Sequence, residues 1–294
     1  AARIATQPLA VHYSPFTIHF LMLSLAALHL YPVKSCRGIE VPEATVTAAG
    51  LGHDREWMIV TPQGRFLTQR ECPSLARIDT ALDADALQLG VDGAGTISVP
   101  LDFSGAPAEV TVWRDHCRAF DQGEAAARWL SELLDRSVRL VRFDPSERRL
   151  SDFAWTGGLE SANRFSDGFA LLAIARASLE DLNARLAAPL PMNRFRPNLE
   201  LDGLPPYGED DLQDLVAGDL RLRRVKPCAR CVITTTNQAT GAVAGDEPRK
   251  TLKSYRWDPA LRGVMFGQNL VVVSGSGARV RVGMQLQREP AVSG

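Results

Sequence analysis

Cys228 and Cys231 stand in the stretch RVKPCARCVITTTNQATG (224–241), a short basic turn that places Arg230 between the two thiols. A C-x-x-C pair is compatible with several chemistries. A structural zinc site needs four ligands, but Cys36, Cys72 and Cys117 are single and the histidines are few and lie upstream. A thioredoxin-like redox pair belongs at a strand-to-helix turn, where the helix start lowers a thiol pKa, whereas the β-branched CVITTT (231–236) reads as a strand. An iron–sulfur cluster wants four protein thiolates at a spacing that is missing here. A single thiolate can also bind a soft metal whose other donors come from a cofactor. Two cysteines that merely shape a buried turn complete the set, and spacing leaves these readings open.

Cationic residues recur in separate short segments. In MNRFRPNLEL, Arg194 and Arg196 are spaced i, i+2, and Pro197 favours extended backbone at Arg196. A strand there projects both guanidinium groups from one face, which suits a phosphate, a solvated strand edge or a partner for Glu200. YPVKSCRG (31–38) carries Lys34 and Ser35 into a tight turn ending at Gly38, a shape able to present amides and a cation to an anion. Arg55 heads the strand of GLGHDREWMIV, and TLKSYR (251–256) adds Lys253 and Arg256, both compatible with ordinary surface. H-E-x-x-H, G-x-S-x-G and a Gly-rich strand–turn–helix loop are absent.

Mostly strands must position these groups. SLAALHLYPV, from Ser24, reads as the first strand; REWMIVT (55–61) and RFLTQ (65–69) read as a hairpin over PQG. The segment 108–121 reads as one bent strand. DQGEAAARWLSELLD then switches period, placing Ala126, Trp129, Leu130, Leu133 and Leu134 on one helical face with Asp121 near its start. Residues 136–143 and 169–175 read as strands on either side of a long polar loop (144–168). SLEDLNARL (178–186) reads as a helix opened by Ser178 and Asp181. Strands follow at 196–204, 218–225 and 231–236, and the chain closes with a hairpin across Gly275 and Gly277. The class is α+β, predominantly β, of barrel or sandwich type, with a boundary near the helix at 124–134.

The chain has 294 residues, enough for two modest domains, and its 45% apolar and 23% charged composition is that of an ordinary globular protein. A net charge of −1 supplies no global field toward nucleic acid or anionic membrane, so any anion site rests on local clusters. Five cysteines, an odd number, point to reduced thiols and a cytoplasmic setting. The apolar run near residues 20–28 is shorter than the roughly 20 residues of a membrane span, and residues 1–21 read as an extension outside the fold.

In their order, LYPVKSCRG, HDREWMIV, FSDGFALLAIARASLEDLN, NRFRPNLEL, VKPCARCVITTTNQATG and TLKSYR resemble the MOSC proteins, the molybdenum-cofactor sulfurase C-terminal domain family, over residues 24 to 288. The subgroup with an N-terminal β-barrel, which includes proteins that reduce N-hydroxylated compounds, is the most similar. The resemblance implies an N-terminal MOSC β-barrel domain at 22–135 and a MOSC β-barrel with a few peripheral helices at 136–290. It implies a molybdenum–molybdopterin (pyranopterin) cofactor, whose metal takes Cys231 as its protein thiolate. Ala229 and Arg230 match the loop lining the cofactor, and Lys34, Ser35, Arg55 and Arg196 match positions contacting the pterin and its phosphate. Gly168 and Phe169 replace the small hydroxyl residues of some relatives, so backbone contacts are expected there; Asn269 replaces an aromatic. The chain stops at Gly294, without the four-cysteine ferredoxin-like domain of some relatives, so an iron–sulfur cluster is not expected. Electrons would then come from a separate ferredoxin- or flavoprotein-type donor. The implied partners are this donor and a small N-hydroxylated substrate, without nucleic acid or membrane. The resemblance also admits a carrier of sulfur or cofactor, with a persulfide on Cys231.

Overall fold

The computed structural model describes residues 22–243 and 245–290; the expectation for residues 1–21 lies outside them. The first strands are β1 (Ser24–Leu30), β2 (Ile39–Val41), β3 (Glu43–Thr47), β4 (Gly50–Leu51) and β5 (Trp57–Val60). A meander follows, β6 (Asp79–Leu82), β7 (Ala86–Val91) and β8 (Gly95–Pro100), then the hairpin β9 (Pro107–Val112) and β10 (Asp115–Asp121). Helix α1 (Glu124–Leu134) leads to β11 (Arg139–Phe143), and the short α2 (Phe153–Thr156) interrupts the polar loop. Next come β12 (Leu171–Ala175), α3 (Arg176–Ala184), β13 (Leu199–Asp202), β14 (Leu212–Ala217) and β15 (Leu220–Ala229). The chain ends with α4 (Arg249–Lys253), β16 (Trp257–Asp258), β17 (Gly263–Ser274), β18 (Arg279–Arg281) and β19 (Gln287–Pro290). The fold is predominantly β, as expected. No helix among the described residues is long and apolar enough to cross a membrane.

The large sheet runs β19-β14-β15-β17-β12-β13-β1-β2, with β16 beside β17. Its far ends approach each other: Leu25 N donates to Met284 O and Leu286 N to Leu23 O, at 2.9 and 2.8 Å, bonding β1 to the segment that leads into β19. The curled sheet encloses a leucine-rich core that includes Leu25, Leu28, Leu199, Leu201, Leu222 and Leu270. β12 and β13 are parallel and α3 makes the crossover, as parallel pairing requires. The smaller sheet β5-β11-β10-β9 contains the fully buried β5. Its period of two sends Trp57 and Ile59 into the core beneath α1, and Met58 and Val60 into the core containing Phe143 and Phe165. α1 buries Ala126, Ala127 and Leu130, with Trp129, Leu133 and Leu134 packed at the margin, and Asp121 Oδ1 accepts from Gly123 N at its start.

Several expectations are corrected. Residues 108–121 form a hairpin, because Val112 pairs with Asp115 across a turn at Trp113 and Arg114. Residues 231–236 are not a strand: Val232–Thr235 form a 3-10 turn, whose Thr234 and Thr235 hydroxyls donate to the carbonyls of Cys231 and Val232 at 3.0 and 2.7 Å. Such local bonds offer β-branched threonine an alternative to a ladder. The final segment does not fold back on β17; β18 pairs with β3, which carries Val280 into the large core. The 55–69 hairpin does form over the expected turn but is short, an antiparallel bridge between Val60 and Phe66 flanked by Thr61 N donating to Arg65 O and Leu67 N to Ile59 O. Helix α3 starts at Arg176, so Ser178 is internal; fully buried, it donates to Glu209 Oε2 and accepts from Tyr207 N, both at 2.7 Å.

Candidate functional site

Three loops are zipped together at one end of the large sheet. The turn after β1 lies beside the turn before β5: Arg55 N donates to Tyr31 O, Lys34 N to Trp57 O, and Tyr31 N to Asp54 Oδ1. The loop before β12 joins them, with Phe165 N donating to Arg55 O and Lys34 Nζ to Phe165 O. Gly38 is required because a Cβ there would meet the Tyr31 ring at 2.3 Å. Ser35 and Arg55 have left-handed φ of 69° and 45°, a strain that such interlocked turns impose.

Arg196 also has a left-handed φ, 56°, and Arg194 lies in a 3-10 turn at 192–194, so the expected strand with two forks on one face does not form. The turn instead buries Phe195 and separates the two arginines. Arg194 donates to Thr234 O, while Arg196 donates to Cys36 O and Gln238 Oε1. Arg55 and Arg196 both pack on Tyr31, each 4.2 Å from the ring centroid. Burial pushes the Tyr31 hydroxyl up to about 12 and Arg196 down to about 10.

The expected site residues come together. Lys34, Ser35, Arg55, Gly168, Phe169, Arg196, Ala229, Arg230 and Cys231 all line one cleft, which contains about 870 Å³ of empty space with its mouth included. Residues not anticipated from the sequence join them, chiefly Arg70, Asp167 and Asn198. Cys228 and Asn269 line it as well. Among the described residues, the lining carries five cations, Lys34, Arg55, Arg70, Arg196 and Arg230, against one carboxylate, Asp167. A strongly cationic cleft in a chain of net charge −1 favours a bound anion.

At the thiols, Arg70 Nη2 donates to Cys231 Sγ at 3.2 Å and Arg230 Nη1 to Cys228 Sγ at 2.9 Å. Arg230 Nη2 also donates to Phe195 O, while its Nε is buried without a hydrogen-bond partner. Asp167 faces Lys34 Nζ at 2.5 Å and Arg70 Nη2 at 3.6 Å. Asp167 is 58% exposed at the cleft, yet the walls around its carboxyl work against ionisation. The charge and hydrogen bond of Lys34, aided by Arg70 and Trp113, outweigh that and hold its carboxyl well below the usual range. Burial lowers the Lys34 pKa, against the pull of Asp167. Asn198 anchors Arg55, its Oδ1 accepting from Nη1 at 2.9 Å and from Leu172 N at 3.2 Å. Sequence spacing carries no sign of Arg70 or Asp167, since each reads as a surface charge until the loops are folded together. No group of three or more His, Cys, Asp or Glu able to hold a metal occurs among the described residues. A metal at Cys231 would therefore draw its other donors from a non-protein group.

A family model described as the MOSC N-terminal β-barrel domain matches residues 22–137, and one described as the MOSC domain matches residues 160–287. The chain is 36% identical over 264 residues to mitochondrial amidoxime-reducing component 1 of Homo sapiens, covering 85% of this chain and 78% of that protein. It is 32% identical to mitochondrial amidoxime reducing component 2 of Homo sapiens, covering 81% of this chain and 74% of that protein. It is 31% identical to molybdenum cofactor sulfurase of Oryza sativa subsp. japonica, covering 80% of this chain and 31% of that protein.

Proposed function

The chain belongs to the family of MOSC proteins with a MOSC N-terminal β-barrel domain, and on that premise we propose that it is a molybdenum-cofactor oxidoreductase reducing N-hydroxylated compounds. The observation that carries the reading is the convergence of Cys231 with Lys34, Arg55, Arg70, Arg196 and Arg230 on one cleft. The residues fit a phosphate-bearing pterin on three counts. The lining is cationic, Arg230 Nε is buried and unpartnered, and a Cβ on Gly168 would meet nothing within 4 Å, so the backbone there is open to close approach. The relatives named for amidoxime reduction support the reaction class.

Cys231 holds the metal in this reading, through a sulfur that Arg70 orients. Arg196, Arg230 and Arg55 take the phosphate and pterin oxygens, Arg196 and Arg55 being stiffened by their shared Tyr31 ring. Ser35 and the backbone at Gly168 and Phe169 border the same space, and Ala229 keeps the approach beside Cys231 unobstructed. When bound, the molybdenum cofactor supplies the two-electron, oxygen-accepting chemistry of R–NHOH + 2 e⁻ + 2 H⁺ → R–NH₂ + H₂O. Lys34 Nζ holds a proton against Asp167 Oδ1 at the cleft, and its lowered pKa makes that proton easier to release. The two electrons would come from a separate electron-donor protein, and the odd cysteine count supports a cytoplasmic setting.

The test is metal analysis of the purified chain with anaerobic turnover of benzamidoxime by an artificial reductant. About one molybdenum per chain with turnover supports the proposal; a molybdenum-loaded protein that leaves benzamidoxime untouched overturns it. A second reading, a persulfide carrier, is favoured by the similarity to a molybdenum cofactor sulfurase and by the half-exposed Cys231 thiol beside Arg70. Cyanide-labile sulfur on metal-free protein would select it.

A further inference from the structure

Trp113 occupies the first position of the two-residue turn between β9 and β10, where Val112 pairs with Asp115. Its φ is 58°. In a hairpin turn this position favours glycine, and a bulky side chain there is an outlier. The side chain is 45% exposed, so core packing does not explain why an indole is kept at a strained position.

Its contacts do. Trp113 Nε1 donates to Asp167 Oδ1 at 3.2 Å. The Arg70 guanidinium lies over the indole, 4.7 Å from the ring centroid, and Phe66 braces the indole at 5.0 Å. Arg70 in turn donates to Cys231 Sγ at 3.2 Å and faces Asp167 at 3.6 Å. One indole thus touches both the cation held on the thiol and the carboxylate held by Lys34. Arg70 is 27% exposed and follows the loop after β5, so without that ring its long side chain is free to turn to solvent.

We propose that Trp113 is a positioning residue of the site: it clamps Arg70 against Cys231 and fixes Asp167 beside it, and the strain at its backbone is retained for that task. This inference rests on the oxidoreductase reading, yet it is separable from it. Turn strain and site geometry pull in opposite directions, which yields a signature that a merely structural residue lacks.

The experiment compares the molybdenum-loaded full chain with its Trp113→Gly and Trp113→Phe variants. Thermal midpoint, steady-state benzamidoxime reduction with an artificial reductant, and the electron paramagnetic resonance spectrum of the one-electron-reduced metal are measured. Trp113→Gly should keep or raise the midpoint, lower kcat by about tenfold with KM little changed, and shift the resonance of the metal. Trp113→Phe keeps the stack under Arg70 but loses the N–H donor, so it should fall between wild type and Trp113→Gly. The inference is overturned if Trp113→Gly leaves both kcat and the spectrum unchanged, or if midpoint and activity fall together. A wild-type protein that binds molybdenum but does not turn over sinks the oxidoreductase reading instead; the spectral comparison then still decides the clamp.

Discussion

Cys231 and Cys228 differ in what holds them, and the difference is measurable. Cys231 faces Arg70 across the cleft, whereas Cys228 accepts from Arg230, which is already tied to the Phe195 carbonyl. Cys231→Ala is expected to remove molybdenum retention and turnover while leaving the circular dichroism spectrum intact. Cys228→Ala should keep most of the metal and cost about 1 kcal/mol through one lost hydrogen bond. Equal loss of metal in both variants would refute the ligand assignment. Away from the cleft, Glu209 is fully buried, and burial raises its carboxyl from 4.5 to about 7. Between those values the folded chain holds a proton that the unfolded chain has released. The stability that Glu209 contributes is therefore fully present below the unfolded value, falls by about 3 kcal/mol as pH rises from 4.5 to 7, and then levels. Urea titrations across that range check this, and Glu209→Gln should flatten the Glu209 contribution.

At the scale of elements, the site is held by turns rather than by strand faces. The 3-10 turn at 232–235 begins with Cys231 as its cap, so its threonines pin the thiol's backbone instead of extending a sheet. β17 is the long strand that supports this turn: Arg230 N donates to Val264 O, and β15 pairs along most of its length. Gly267 lets β17 pass close over β12. Its φ is 78°, and a Cβ would lie 2.6 Å from Ile174 Cγ1 and 2.9 Å from Ala173 O. Gly267→Ala is expected to cost about 2–4 kcal/mol through backbone strain and overpacking, read as a lowered urea midpoint.

In the whole molecule, segments far apart in sequence complete each other's sheets. β1 lies between β13 and β2, and β11 lies between β5 and β10. The cleft needs Lys34, Arg55 and Arg70 from before α1 and Arg196, Arg230 and Cys231 from after it. Gln69 and Gln238 hydrogen-bond reciprocally across the same divide, at 3.1 and 2.9 Å. A fragment of residues 136–290 leaves β13 without β1 and removes Leu25, Leu28 and Leu30 from the large core. Three buried leucines contribute roughly 5–9 kcal/mol, comparable to the whole stability of a domain. The isolated fragment should therefore aggregate or lack cooperative unfolding, which size-exclusion chromatography and thermal circular dichroism will show.

Period and composition by themselves determined the β-rich class, the start of β1 at Ser24, the amphipathic α1 and the order of basic segments around a C-x-x-C, because each is a local property of consecutive residues. The tertiary structure alone decided that Val232–Thr235 coil into a turn, that Arg196 leaves the strand conformation, and that Trp113 reverses a hairpin. It alone brought Arg70 and Asp167 to Cys231. The physical reason is that at 232–235 the threonines' own short-range bonds replace a ladder, while Arg196, Arg70, Asp167 and the Trp113 ring find partners more than 40 residues away in sequence. Hydrogen bonds and ring contacts from distant loops outweigh local propensity there, and the closeness of two charges exists only once the sheets that carry them have closed.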